Sequence, residues 1–151
     1  MRILNKIIIF AAAVLLFATI FKFNDKDGLF KDFNYTLNIY VENDNGYDSI
    51  EAGNFKIVTC SKQEENDVLK NLDNVIGKSY KLDAEFDIEK FIKQNNFQIQ
   101  FSQELEDETI YYLYNFKIND FAIVNGKKIS MQIVKTDDYV IAAEPLILGG
   151  Y

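Results

Sequence analysis

Four carboxylates crowd into the stretch QELEDE: Glu104, Glu106, Asp107 and Glu108. Such a cluster can hold a hard cation through its oxygens, or supply an acid–base pair for hydrolysis. Hydrolysis needs one carboxyl whose pKa is raised by an apolar wall, and these acids lie between two strand-like segments with no such wall in the sequence around them. The stretch therefore reads as a solvated hairpin turn. A second acidic stretch, VENDNGYD from Val41 to Asp48, invites comparison with a calcium loop. Setting Gly46 on the invariant loop glycine puts Val41 at the first ligand position and Ala52 at the terminal glutamate position, so the EF-hand pattern fails. The chain has no histidine, which removes the usual acid–base group near neutrality, the commonest metal ligand and the Ser–His and Cys–His nucleophile pairs. No catalytic, cofactor-binding or metal-ligating residue is assigned, and the expectation is a protein that is not an enzyme. The competing class is an enzyme working through carboxylates or lysine.

Aromatic residues offer a different chemistry. In TIYYLYNF, Thr109 to Phe116, strand alternation puts Tyr112, Tyr114 and Phe116 on one side and Tyr111 and Leu113 on the other. An exposed row of tyrosines suits a partner surface or a carbohydrate, because tyrosine supplies a large amphipathic area at small entropic cost. A strand buried on both faces would use the same residues as core. Tyr111, Tyr112 and Tyr114, with the terminal Tyr151, form the candidate interaction surface. The single cysteine, Cys60, cannot make an internal disulfide and is expected to be a buried apolar residue.

The elements that would position these residues read as α+β. Tyr35, Leu37, Ile39 and Val41 alternate with polar residues as a half-buried strand, and Asn43 to Gly46 supplies turn chemistry. A returning strand from Tyr47 to Cys60 changes its apolar phase at Gly53-Asn54, which suggests a kink. Ser61 and Glu64 fit a capping box, and Val68, Leu69, Leu72, Val75 and Ile76 recur at helical spacing until Gly77. Tyr80, Leu82, Ala84 and Phe86 alternate as a strand. Asp87 then caps a short helix carrying Ile88, Phe91 and Ile92, ended by Asn95-Asn96. Strands follow: one at Phe97, Ile99 and Phe101, one from Ile110 to Ile118, a pair from Phe121 to Val124 and Ile129 to Val134 joined across Asn125-Gly126, and one from Tyr139 to Leu148. A curved antiparallel sheet with two helices packed on one face is the expected architecture for residues 33–151.

Ahead of it lies KIIIFAAAVLLFATIFK, Lys6 to Lys22, within an apolar segment covering residues 1–23. Its uncharged run from Ile7 to Phe21 is short for a bilayer, but Ile3, Leu4 and Phe23 extend it and the flanking lysines can reach the interface. No small-residue pattern suited to cleavage follows the apolar core, so the segment is read as a retained signal anchor, with cleavage and secretion as the alternative. Arg2, Lys6 and the amino terminus precede the run, which leaves the N-terminus cytoplasmic and the domain extracytoplasmic. Residues 24–32 are polar and read as a tether.

The whole chain has a net charge of −7. Without its first 23 residues, which hold Arg2, Lys6 and Lys22 and no acid, the charge is −10. Nucleic acid is therefore not an expected partner, since affinity for it comes mainly from cations that replace phosphate counterions, and the acidic exterior repels an anionic membrane surface in the same way. The membrane, through the N-terminal helix, and a protein or other envelope component are the expected partners; oligomeric state cannot be read from the sequence.

The last stretch, NGKKISMQIVKTDDYVIAAEPLILGGY, resembles the end of the YwmB-like family. The resemblance rests on the turn at Asn125-Gly126, on Met131-Gln132-Ile133 and on Pro145 six residues before the terminal Tyr151, and covers roughly the last third of the chain. The family tends to carry Ala-x-Arg where Val134-Lys135-Thr136 stands, a small-residue pair where this chain has Ala143-Glu144, and an acid where Gly150 stands. The resemblance implies an extracytoplasmic protein of spore-forming Gram-positive bacteria with a TATA-box-binding-protein-like or helix-grip-like lobe. It implies an envelope or sporulation process and supplies no catalytic residues. From all of this the expected function is that of a membrane-anchored interaction or ligand-sensing module.

Overall fold

A computed structural model describes residues 28–148. The expected anchor at 1–23, residues 24–27 of the tether and Tyr151 lie outside the described residues. The chain divides into two units at Asp32/Phe33. Of the first, the described part is a turn in which the Lys31 amide donates to the Gly28 carbonyl at 3.0 Å. Among the described residues no helix is long and apolar enough to cross a membrane.

The second unit is α+β. Its main sheet has eight strands: β1 (Thr36–Val41), β2 (Ser49–Ala52), β3 (Phe55–Ser61), β4 (Val75–Asp83), β5 (Gln98–Glu104), β6 (Thr109–Tyr114), β9 (Met131–Lys135) and β10 (Tyr139–Glu144). They pair antiparallel in the order β2-β3-β1-β4-β10-β9-β6-β5. Strands β7 (Ala122–Val124) and β8 (Lys127–Ile129) form a separate hairpin. The helices are α1 (Glu65–Asn71) and α2 (Ile88–Gln94).

Directly paired residues share a face, so the register defines two rows across the sheet. One contains Cys60, Leu37, Tyr80, Ala142, Ile133 and Tyr111. The next row, on the opposite face, contains Thr59, Asn38, Ser79, Ala143, Gln132, Tyr112 and Phe101. The central strands are buried on both faces: all of Met131–Val134 and Val140–Ala143 are buried. Near Tyr40 the second face is closed by the segment after β10. There the Ile147 amide donates to Gln132 Oε1 at 3.0 Å, and Tyr40 Oη lies 2.7 Å from Ser79 Oγ.

Several boundaries differ from the expected ones. α1 stops at Asn71, and Leu72 is extended, with φ −99° and ψ 132°. Val75 and Ile76 belong to β4, where Val75 pairs with Val41, so the i, i+3, i+4 spacing that mimics a helix is the start of a strand. Gly77 lies inside that strand opposite Tyr40. A Cβ there would stand 3.5 Å from the Glu144 carbonyl oxygen and from Leu148 Cδ1. Gly53-Asn54 is a two-residue hairpin turn closed by the Ala52–Phe55 pair, and Gly53 has φ +71°. β4 ends at Asp83 and β10 at Glu144, where Pro145 is cis.

The local signals are reproduced. Asp87 caps α2 by accepting the Lys90 amide at 2.9 Å. Asn125 and Gly126 have φ of +50° and +74°, as a tight hairpin turn requires. Ser61 and Glu64 are bonded, but the Ser61 hydroxyl donates to the Glu64 carboxylate at 2.6 Å, and the helix starts after Glu64.

Candidate functional site

The side chains singled out in the sequence are distributed over several places. Glu106 and Asp107 sit in the exposed Leu105–Glu108 turn between β5 and β6, Glu104 ends β5, and the Leu105 amide donates to the Glu108 carbonyl at 2.8 Å. Among the described residues no group of three or more histidine, cysteine, aspartate or glutamate side chains is placed to hold a metal ion. Asp44, from the calcium-loop comparison, instead closes its own turn. It accepts the Gly46 amide at 3.1 Å, the Ser49 hydroxyl at 2.7 Å and Lys56 Nζ at 2.8 Å. The bond from Lys56, then that from Ser49, holds its carboxyl well below the usual aspartate range. Cys60 is buried beneath α1, and burial, followed by the charges of Glu64 and Glu65, pushes its thiol pKa up.

Of the three described tyrosines of the expected surface, the pleat puts Tyr111 on the face opposite Tyr112 and Tyr114. Tyr111 lies in the row of Cys60 and Leu37, half-buried beside Ile133. Tyr112 lies in the other row, its ring stacked on Phe101. Tyr114, at the end of β6 opposite Gln98, lines an open groove of about 400 Å³. Ile92 and Lys93 of α2, Asn96, Phe97, Gln98 and Phe116 complete it.

Local chemistry explains how that groove is built. α2 ends because Asn96 takes a left-handed conformation, φ +56°, allowing the Phe97 amide to reach back to the Ile92 carbonyl at 3.0 Å. This reversal buries Phe97 against Phe91, with ring centroids 5.8 Å apart, and starts β5 immediately afterwards. The opposite wall is fixed by Asn115, which is buried. Its amide nitrogen Nδ2 donates to the Asn95 carbonyl at 2.8 Å, its Oδ1 accepts the Lys117 backbone amide at 2.9 Å, and its own backbone amide donates to Ser130 Oγ at 2.9 Å. One side chain thus ties the end of α2 to the loop carrying Phe116. Its bond to Lys117 is local, whereas Asn95 lies 20 positions away and Ser130, the partner of the Asn115 backbone amide, 15, so only the turn-prone character of Asn115 is visible in the sequence.

Phe116 forms the lip of the groove and is 71% exposed. Lys117 Nζ lies 6.0 Å from its ring centroid. Next to it the β7–β8 hairpin is attached through its inner face: Ile129 is fully buried, and Lys127 Nζ donates to the Gln100 carbonyl at 2.8 Å while lying over the Phe101 ring. Gln100 sits where the β5–β6 register shifts between Ile99 and Phe101, which frees its carbonyl for that bond.

A second cluster of titratable groups lies across β4 and β10. Glu144 pairs in register with Lys78. Burial pushes the Glu144 carboxyl up, Lys78 pulls it back, and the charges of Glu65 and Asp120 push it further up. Tyr80 is also raised, mainly by burial and then by Glu144. Tyr35 donates to Glu65 Oε2, and its ring meets that of Tyr80 edge-on at 5.1 Å. These groups join α1 to the sheet.

No family model, curated protein or solved structure matches the chain. The groove combines exposed aromatic area, a cation and a shaped concavity.

Proposed function

We propose that this chain is a membrane-anchored extracytoplasmic interaction module that receives a partner in the groove between the end of α2 and the end of β6. The observation that carries the reading is Phe116, an aromatic ring left 71% exposed beside Tyr114 and Phe97. Large aromatic side chains on the rim of a concavity are typical anchors for a partner. Lys93 on the same rim favours a partner that presents an apolar side chain next to a carboxylate.

The anchor follows from the apolar segment at 1–23, and the orientation from Arg2 and Lys6. We take the α+β domain as a curved lobe with both helices on one face, of the TATA-box-binding-protein-like kind. The YwmB-like resemblance supports that description and a role in an envelope or sporulation process. The reading assigns no catalysis and no nucleic-acid contact to the domain.

The test is made on intact cells of the native host. A Glu51→Cys variant, exposed on β2 away from the groove, should react with a membrane-impermeant maleimide, and the same protein should remain in the membrane pellet after carbonate extraction. Labelling only after lysis would overturn the orientation. A soluble form beginning between Phe21 and Asp32 would replace the anchored reading with a secreted one.

A further inference from the structure

Asparagine followed by glycine occurs twice in the chain, at Asn45-Gly46 and Asn125-Gly126. The pair carries a latent reaction. The backbone nitrogen after an asparagine, once deprotonated, can attack the side-chain carbonyl carbon, and glycine has no Cβ to obstruct the approach. Both pairs sit in exposed turns with positive φ: 51° and 89° at Asn45 and Gly46, 50° and 74° at Asn125 and Gly126. Local sequence and backbone conformation do not separate them. Their surroundings do.

At the first pair both reacting groups are held. The Gly46 amide donates to Asp44 Oδ1 at 3.1 Å, and Asn45 Nδ2 donates to the Asn71 carbonyl at 2.7 Å and to Asp73 Oδ2 at 3.4 Å. Asp44 is pinned in turn by Ser49 and Lys56 through its other oxygen. Attack would have to break this network, which joins the turn to the end of α1.

At the second pair, among the described residues, no hydrogen bond holds the Asn125 side chain or the Gly126 amide. Beyond its chain neighbours, no atom lies within 4 Å of where a Gly126 Cβ would stand. The flanking strands β7 and β8 are 3 residues each and pair only with one another. A ribbon that short opens at small cost.

We propose that Asn125 is a site of spontaneous modification, converting to aspartate and isoaspartate in the folded protein while Asn45 is spared. The Gly126 nitrogen gives up its proton and bonds to Asn125 Cγ. The bond from Cγ to Nδ2 breaks, the departing nitrogen takes up a proton, and ammonia leaves behind a cyclic imide. Water then adds to either imide carbonyl and opens the ring, so that asparagine and water become a carboxylic acid and ammonia. Breaking the new bond to Cγ gives aspartate; breaking the original peptide bond gives isoaspartate, whose backbone runs through the former side chain. Either product sets a carboxylate beside Lys127 and Lys128. The longer isoaspartate backbone also disturbs the Val124–Lys127 pair that closes the turn, and with it the Lys127 bond to the Gln100 carbonyl.

The test holds the full chain, in detergent micelles, in mildly alkaline buffer made with heavy-oxygen water, and in parallel in the same buffer with concentrated urea. Peptide mass spectrometry follows the oxygen label at both asparagines. In the folded protein Asn125 should convert several-fold faster than Asn45, and in urea the two rates should converge. Comparable rates in the folded protein, or faster conversion at Asn45, would overturn the proposal. So would a preference for Asn125 that persists undiminished in urea, because the flanking sequence and not the fold would then be responsible. Amide exchange reads the consequence: in the aged protein it should quicken across Ala122–Ile129 and stay slow at Val140–Ala143. Unchanged exchange in the hairpin would refute the disturbance of the turn.

Discussion

The rings of Phe101 and Tyr112 stack with centroids 4.2 Å apart and planes 21° from parallel. They are direct cross-strand partners at the β5–β6 edge, so Tyr112 stabilises the edge strand and is not spare binding surface. This separates the tyrosines by role: Tyr112 holds β5, Tyr111 lies in the row of Cys60, and Tyr114 faces the groove.

Tyr112→Ala should therefore lower stability by about 1–3 kcal/mol, from lost burial and lost ring pairing. Phe116→Ser should change it by less than about 0.5 kcal/mol, because the ring is largely in water. Chemical denaturation of the two variants checks the contrast. Equal losses would mean that Phe116 is packed in solution.

Asn115→Ala should cost about 1–3 kcal/mol by leaving the Asn95 carbonyl and the Lys117 amide without their partner. Hydrogen exchange should speed up at Lys117 and at the end of α2 while remaining slow at Val140–Ala143. Unchanged exchange at Lys117 would remove Asn115 as the residue that shapes the groove.

Leu72→Asp should unfold the domain. Leu72 is 6% exposed just beyond α1, and losing a buried leucine already costs about 2–5 kcal/mol before any charge is buried. Replacing Glu104, Glu106, Asp107 and Glu108 together with serine should leave the melting temperature essentially unchanged, because solvated charges contribute little. Thermal melting of both variants decides this, and loss of a bound cation by the quadruple variant would restore the acidic turn as a site.

Stability should depend on pH in two separate windows. The Glu144 carboxyl has a raised pKa in the folded state, so its contribution is fully favourable below the ordinary glutamate value of 4.5 and is lost as pH rises through the raised value. Asp44 has a lowered pKa, so its contribution is present above the ordinary 3.8 and is lost as pH falls. Glu144→Gln should flatten the decline on the alkaline side of pH 4.5 and leave the acid limb unchanged. Melting curves across pH for wild type and Glu144→Gln test the sign, and a steeper alkaline decline in the variant would contradict it.

What the sequence made legible was local chemistry. Asp87 as a helix cap and Asn125-Gly126 as a hairpin turn depend on groups within a few residues, and both occur. Val75 and Ile76 were misleading because the i, i+3, i+4 pattern is satisfied by the end of one element and the start of the next. Pairing of Val75 with Val41, 34 positions away, decides the outcome. The phase change at Gly53-Asn54 was visible, but whether it marks a kink or a reversal depends on Ala52 meeting Phe55. Of the groove, the tyrosine-rich strand was conspicuous, whereas Asn115, Phe97 and Phe116 acquire their places only when α2 and the Ser130 junction are brought to the end of β6.

The most direct test of the interaction surface is photocrosslinking in the native host. A photoreactive amino acid is placed at Gln98, on the groove rim, or at Glu51, exposed on the opposite edge of the sheet. A groove that receives a partner predicts a discrete crosslinked product from position 98, absent from position 51 and lost when Tyr114→Ala and Phe116→Ser are combined with it. The same products from both positions, or none from position 98 in membranes that retain the protein, would contradict the account.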